Sequence, residues 1–340
     1  MNDLPMTMRA VICDAPGAAL TLRQVPRPEP GPGQYLVRLE ACGLCHSDLH
    51  VQRGKEPLPP EAFPLILGHE GIGRIVAGDG PLPLGTRVGL PWLYDTCLAC
   101  DPCLTGRETY CARQKARGLD APGAFADYAL LEQDFAVGIP AALDPVEAGP
   151  LLCAGLTAWS ALARCEVLPG RRLLIIGAGG LGQYALEIGL ARGLRVAVVE
   201  PDADKRAAVL ARGAALAVGP DDARAIRDWG GADITLNFAP TPRVWDLIAA
   251  AANPLSQIVA VALVHDPVPL SMMWLINGGH RVTGSSVGTR AELRAFLDFA
   301  AGRSFAVELE RIPLAAVGEA LERLARGEIR GRAVVDFTLT

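Results

Sequence analysis

The stretch LLIIGAGGLGQYALEIGLARGLRVAVVEPD, residues 173–202, decides the fold. It opens on a continuous apolar run, residues 173–176, with the length and composition of a buried strand. Glycines in the pattern GxGxxG follow at Gly177, Gly179 and Gly182, then a helical stretch over 183–192 and a second apolar run over 195–199. GxGxxG alone is weak evidence, but strand, glycine turn, helix and strand in this order form a dinucleotide-binding unit. Gly177 permits the tight turn, Gly179 lets a pyrophosphate approach the main chain, and Gly182 lets the helix pack close to the strand. Gly180 and Leu181 complete the turn, at the positive end of the helix where the phosphates sit. Glu200 ends the second strand, 23 residues after Gly177, where a carboxylate accepts hydrogen bonds from the adenosine ribose. A 2′-phosphate there would meet like charge, so the expected cofactor is NAD rather than NADP. Lys205, counted among the cofactor-contact candidates, and Arg206 are the nearby cations that weigh the other way.

Downstream, apolar runs at 215–218, 234–238 and 257–263 alternate with helical stretches such as 203–212, which predicts βαβ units and a parallel sheet. The most apolar stretch, 247–264, is interrupted by Asn253, Pro254, Ser256 and Gln257; it reads as a helix ending at an Asn-Pro turn and then a buried strand, not a membrane span. Upstream, the first 150 residues are rich in Pro and Gly, with short runs at 35–39, 72–76 and 87–90 that read as strands of an irregular, mostly β domain. The end offers amphipathic helices over 290–302 and 314–327 and a strand over 333–339 that can return to the first domain. The expected organisation is α/β: a mostly β domain over 1–153, a doubly wound parallel-sheet nucleotide domain over 154–285, and a return to the first domain over 286–340.

A chain of 340 residues with 50% hydrophobic content can bury two cores. Its net charge of −5 and pI near 5.6 give no electrostatic case for nucleic acid or an anionic membrane, so small-molecule partners are expected. The start, MNDLPMTMRA, lacks the basic and apolar regions of a secretory signal, which predicts a reducing cytoplasm. Nine cysteines cannot all pair within the chain, so metal or free thiol is the default. Cys13, Cys42 and Cys165 lack ligand-like company and are assigned to packing.

Composition alone would place fewer than one cysteine in a window of fifteen residues, yet Cys97, Cys100, Cys103 and Cys111 fall in one. Their spacing suits a closed four-thiolate zinc site. Cys45, His69 and Cys153 form a second candidate set, and three ligands leave a position for substrate. Arg107, Arg113, Lys115 and Arg117 would offset the net −2 charge of the four-thiolate site.

The segments ACGLCHSDLH (41–50), GHE (68–70), LLCAGLTAW (151–159), the glycine fingerprint and GEIRGRAVVD (327–336) resemble the zinc-dependent medium-chain alcohol dehydrogenases over essentially the whole chain, and most of all their microbial, yeast-type branch. The resemblance implies a GroES-like catalytic domain beside a Rossmann domain. It also implies two zinc ions per chain: a catalytic zinc on Cys45, His69 and Cys153, with Asp48 on the second nitrogen of His69 and Glu70 behind the metal, and a structural zinc on the four-cysteine cluster. Zinc would act as a Lewis acid on the alcohol, Ser47 would take its proton and pass it through the cofactor ribose to His50, and a hydride would go to NAD. His46 and Arg332 would face the pyrophosphate, and a homotetramer or homodimer is expected.

Where small-alcohol relatives carry tryptophans, this chain has Gln52 and Glu56; Trp92 is retained, and Ala262 would be a small residue facing substrate. The pocket is therefore expected to be wider or more polar than ethanol requires. A polyol or other specialised dehydrogenase is the alternative within the family. A non-catalytic, zinc-stabilised nucleotide-binding protein is the alternative outside it.

Overall fold

The computed structural model describes residues 4–340, so the first three residues of the N-terminal segment lie outside the described residues. The chain divides into two compact units. Among the described residues, one comprises 4–156, 289–304 and 308–340, and the other 157–288 and 305–307.

The second unit is built on a six-stranded parallel sheet: β1 (Arg172–Ile176), β2 (Arg195–Val199), β3 (Leu216–Val218), β4 (Ala232–Asn237), β5 (Ala252–Ala260) and β6 (Arg281–Gly284). The spatial order is β3-β2-β1-β4-β5-β6, the doubly wound arrangement in which the strand order reverses beside β1. Leu173 to Ile176 are at most 1% exposed, as expected of a strand covered on both faces. The helix Gly180–Ala191 follows the glycine turn directly.

The region around β5 departs from expectation. Helix Val244–Ala251 ends without a turn, and β5 begins at the next residue, so Asn253 and Pro254 lie inside the strand. The register slips between the pairs Ala232/Ala252 and Ile234/Gln257, and Leu255 has φ 63°. Proline is tolerated at such a bulge because no ladder hydrogen bond is required there. The side chain of Asn253 secures the bulge by donating to Asp233 Oδ1 at 2.7 Å. Helix Ala223–Asp228 and edge strand β6 carry too little periodicity to have been anticipated.

In the first unit, the longest sheet runs Val137–Gly138, Arg87–Leu90, Gly71–Ala77, Gln34–Gly43, Arg332–Asp336, Leu309–Ile312, with Tyr128–Glu132 also pairing with Gln34–Gly43. Near the end of the chain, Arg332–Asp336 lies antiparallel to Gln34–Gly43, pairing Val335 with Cys42. A core containing Tyr35, Leu67, Ile75, Leu90, Phe125 and Val335 fills this unit. Helices His46–Gln52 and Val317–Ala325 pack together on it. Among the described residues, no single helix is long and apolar enough to cross a membrane.

Candidate active site

Helix His46–Gln52 starts at Cys45, whose extended backbone (φ −127°, ψ 154°) lets the chain turn from strand into helix. Asp48, in the first turn, is 2% exposed and fully engaged. Its Oδ2 accepts from Cys45 N at 2.9 Å, and its Oδ1 accepts from Gly68 N at 3.1 Å and lies 3.0 Å from His69 Nδ1. With Nδ1–H donating to this carboxylate, His69 Nε2 presents a lone pair. That nitrogen is buried and has no hydrogen-bond partner.

Cys45 Sγ lies 3.9 Å from Cys153 Sγ, and the donor atoms of Cys45, His69, Glu70 and Cys153 all fall within 4.8 Å of one another. A tetrahedral cation with Zn–S bonds of about 2.3 Å sets its sulfurs about 3.8 Å apart, so the donor set fits zinc. The hydrogen bond from Cys153 holds Cys45 well below the ordinary thiol range against the opposing effect of burial; the same bond and burial push Cys153 well above it. Glu70 is fully buried, and burial raises its carboxyl to about 7 although Arg332 opposes the rise. Arg332, 5% exposed, donates to Glu70 Oε1 and, at 2.7 Å, to Leu44 O. Gly43 is required here, because a Cβ on it would fall 1.9 Å from Glu70 Oε2. Sequence reasoning missed Gly43 and Gly68; their adjacency to ACGLC and HE was the available signal.

Ser47 Oγ is 3.8 Å from Cys45 Sγ, and His50 follows three residues later on the same helix, half-buried, while His46 is exposed at the first helical position. Trp92 is half-buried, with its ring edge-on to His69 at 5.0 Å and 87°. Glu56 is half-buried. Gln52 does not behave as an open pocket wall: it is 8% exposed and its Nε2 donates to Ala18 O at 2.8 Å, which fastens the end of the helix to the preceding turn.

The other four cysteines converge in a separate lobe, with Sγ separations of 3.9 Å (Cys97–Cys103), 3.5 Å (Cys100–Cys103) and 3.5 Å (Cys97–Cys111). None is in a disulfide, and these spacings also suit one tetrahedral cation. Donation from the Ala99 main chain and from Arg113 holds Cys97 at about 5. Arg113 therefore faces the thiols, whereas Arg117 is buried beneath the Tyr94 ring at 4.8 Å and Arg107 pairs with Asp101.

In the second unit, Gly177 adopts φ +95°, Gly179 has open space where a Cβ would stand, and a Cβ on Gly182 would lie 1.9 Å from Gly177 O. The turn thus leaves room for phosphate at the start of helix Gly180–Ala191. Glu200 is 6% exposed and accepts from Ala178 N at 2.7 Å and Asp202 N at 3.1 Å, with acceptor capacity left for ribose hydroxyls. Lys205 is half-buried in the first turn of the next helix, and Arg206 donates to Glu200 O and Pro201 O at 2.7 Å each. Ala262, just after β5, donates its N–H to Asn237 O at 3.1 Å.

A family model described as "Alcohol dehydrogenase GroES-like domain" matches residues 31–141, and one described as "Zinc-binding dehydrogenase" matches residues 180–302. An alcohol dehydrogenase of Geobacillus stearothermophilus is 37% identical over 335 residues, covering 96% of this chain and 98% of the relative. Among solved structures, a cinnamyl alcohol dehydrogenase from Sorghum bicolor superposes with TM-score 0.89 at 29% identity, covering 98% of each chain. An acetophenone reductase from Geotrichum candidum, solved in complex with NAD, superposes with TM-score 0.87 at 27% identity, again over 98% of each chain. The chain belongs to the zinc-dependent medium-chain alcohol dehydrogenases: it is an oxidoreductase that oxidises alcohols, with zinc and NAD as cofactors.

Proposed function

We propose that Cys45, His69 and Cys153 hold the catalytic zinc and Cys97, Cys100, Cys103 and Cys111 a structural one, in an enzyme that interconverts primary or secondary alcohols and the matching aldehydes or ketones with NAD in preference to NADP. The observation that carries this reading is the convergence of two buried thiols and the partnerless Nε2 of a buried imidazole on one point. Bound zinc supplies Lewis acidity and bound NAD accepts hydride.

The chain's own residues do the rest. Asp48 fixes the tautomer of His69. Ser47 takes the hydroxyl proton of the alcohol, and His50, one helical turn away, carries it toward solvent. Arg332 balances Glu70, so two thiolates and a neutral imidazole match a dication. His46 adds positive charge for the pyrophosphate and Arg332, its charge already matched by Glu70, offers N–H donors; Gly177, Gly179, Gly180, Leu181 and Gly182 cradle the group, while Glu200 takes the ribose hydroxyls. The commitment of Arg206 to main-chain carbonyls leaves Lys205 as the one nearby cation of the two that favoured NADP.

Residues 1–153 with 286–340 carry the metals and the relay in this reading, and 154–285 the nucleotide. Trp92, Glu56 and Ala262 face the substrate. Two relatives are named for aromatic compounds, which supports bulky aliphatic or aromatic alcohols over ethanol. A homodimer or homotetramer in the cytoplasm completes the proposal; exposed apolar side chains on helix Met272–Gly278 and in β5, Met272, Met273, Ile276 and Leu255, between 60% and 72% exposed, support the assembly.

A panel of alcohols and carbonyl compounds assayed with NAD(H) and NADP(H), beside metal content per chain, tests these assignments. Equal kcat/KM with both cofactors, or better turnover of ethanol than of bulky alcohols, would overturn the corresponding one. Cys45→Ser is expected to abolish turnover in a folded protein that still binds NAD, and Cys100→Ser to lower stability first, because structural zinc contributes directly to folding. Identical behaviour of the two variants would remove the division of labour between the metals.

A further inference from the structure

Glu108 sits inside the four-cysteine lobe, in the turn Glu108–Tyr110 between Cys103 and Cys111, and is only 5% exposed. A carboxylate buried this far needs a charged partner, and the partner is 182 residues away: Glu108 Oε1 accepts from Arg290 N at 3.0 Å and Arg290 Nε at 2.8 Å. The same guanidinium donates from Nη1 to Asp134 O at 2.6 Å and lies 4.5 Å over the Phe135 ring. Arg290 is the first residue of helix Arg290–Ala300, which Thr289 and Glu292 cap reciprocally. The start of the helix is thus latched to the lobe through both main chain and side chain.

Further along this helix, Phe296 is fully buried against Gly155. A Cβ on Gly155 would lie 2.7 Å from Phe296 Cε1 and 3.2 Å from Leu151 Cδ2, so glycine permits an approach that any other residue would prevent. Gly155 and Leu151 stand two residues on either side of Cys153. The backbone of Cys153 (φ −125°, ψ −71°) lies outside regular structure, where the 3₁₀ turn Gly149–Leu152 meets helix Ala154–Ala163 and the chain bends by 47°. At such a break, helical hydrogen bonds do not fix the position of the sulfur, and packing on the flanks has to.

We propose that the Glu108–Arg290 latch makes the four-cysteine lobe a positioning element for Cys153, acting through helix Arg290–Ala300 and its Phe296–Gly155 contact. The inference rests on the assignment of Cys153 as a ligand of the catalytic metal, and the test separates the two. In holoenzyme carrying cobalt at the Cys45/His69/Cys153 site and zinc in the lobe, the readouts are the thiolate-to-cobalt absorption band and the rate at which a chelator removes the cobalt. Cys153→Ser is expected to weaken the band; an unchanged band removes the ligand assignment itself. With that assignment standing, Glu108→Ala and Phe296→Leu are each expected to release cobalt about tenfold faster, the lower end of the effect of removing an outer support of a metal ligand, while lobe zinc is retained. Glu108→Gln, which keeps an acceptor oxygen for both Arg290 donors, is expected to fall between Glu108→Ala and wild type. Unchanged release and an unchanged band in Glu108→Ala and Phe296→Leu, with only a lower Tm, would overturn the proposal. Phe296→Leu leaves the lobe untouched, so it decides the matter even if Glu108→Ala does not fold.

Discussion

Arg117 illustrates what a single residue conceals in sequence. Four positions after Arg113 and six after Cys111, it reads as a counter-charge for the thiolates, yet it is 1% exposed, with Nε and Nη2 lacking partners and Nη1 only 3.4 Å from Pro122 O. Burial pulls its pKa down to about 10, so at neutral pH it is still charged and the fold bears a desolvation cost. A buried charge whose main partner is the face of the Tyr94 ring is commonly no better than an apolar side chain of similar length. Arg117→Met is therefore expected to be neutral or to raise stability by about 1–2 kcal/mol at pH 7, read by denaturant unfolding. A loss of several kcal/mol would mean that the guanidinium has partners equivalent to full hydration. By contrast, Cys45, His69 and Cys153 stand out in the sequence because their neighbours, not their own identities, form a pattern, and the structure brings their donor atoms within 4.8 Å of one another.

At the scale of elements, legibility followed locality. The limits of β1 and β2 match their apolar runs to within a residue, because each is a continuous hydrophobic segment opened by an arginine and closed by glycine or charge. The start of β5 was not legible, since its Asn-Pro is accommodated in a bulge between two stretches paired with β4 rather than by local preference. The bulge depends on Asp233, which accepts from Asn253 Nδ2 at 2.7 Å and Arg172 N at 2.9 Å. Burial tends to raise the Asp233 carboxyl, but these bonds and the Arg172 and Arg171 charges outweigh it and hold the pKa below the ordinary value. A carboxylate depressed in the folded state stabilises above its unfolded pKa, about 3.9, and loses that contribution as pH falls through the folded value. Asp233→Asn is expected to cost about 1 kcal/mol at pH 7, and the gap from wild type should close below about pH 4. A gap independent of pH between 7 and 3 would show that charge is not the source.

At the scale of the whole molecule, helix Met272–Gly278 buries none of its residues, although Met272, Met273 and Ile276 are apolar. If a second copy covers this face, Ile276→Asp should reduce the mass seen by sedimentation to that of a smaller assembly, with little change in the Tm of the monomeric fold. An unchanged mass would move the interface elsewhere. The placement of Arg332–Asp336 between Gln34–Gly43 and Leu309–Ile312 has a further consequence. During synthesis the unit of residues 157–288 emerges before Arg332–Asp336 is made, while the other unit waits with a gap in its longest sheet until that strand arrives, since pairings this distant along the chain form late. A premature stop just upstream of Arg332 would therefore leave Ala41–Gly43 unpaired on that side and remove the cation facing Glu70, producing a chain prone to aggregate rather than a slightly shorter enzyme.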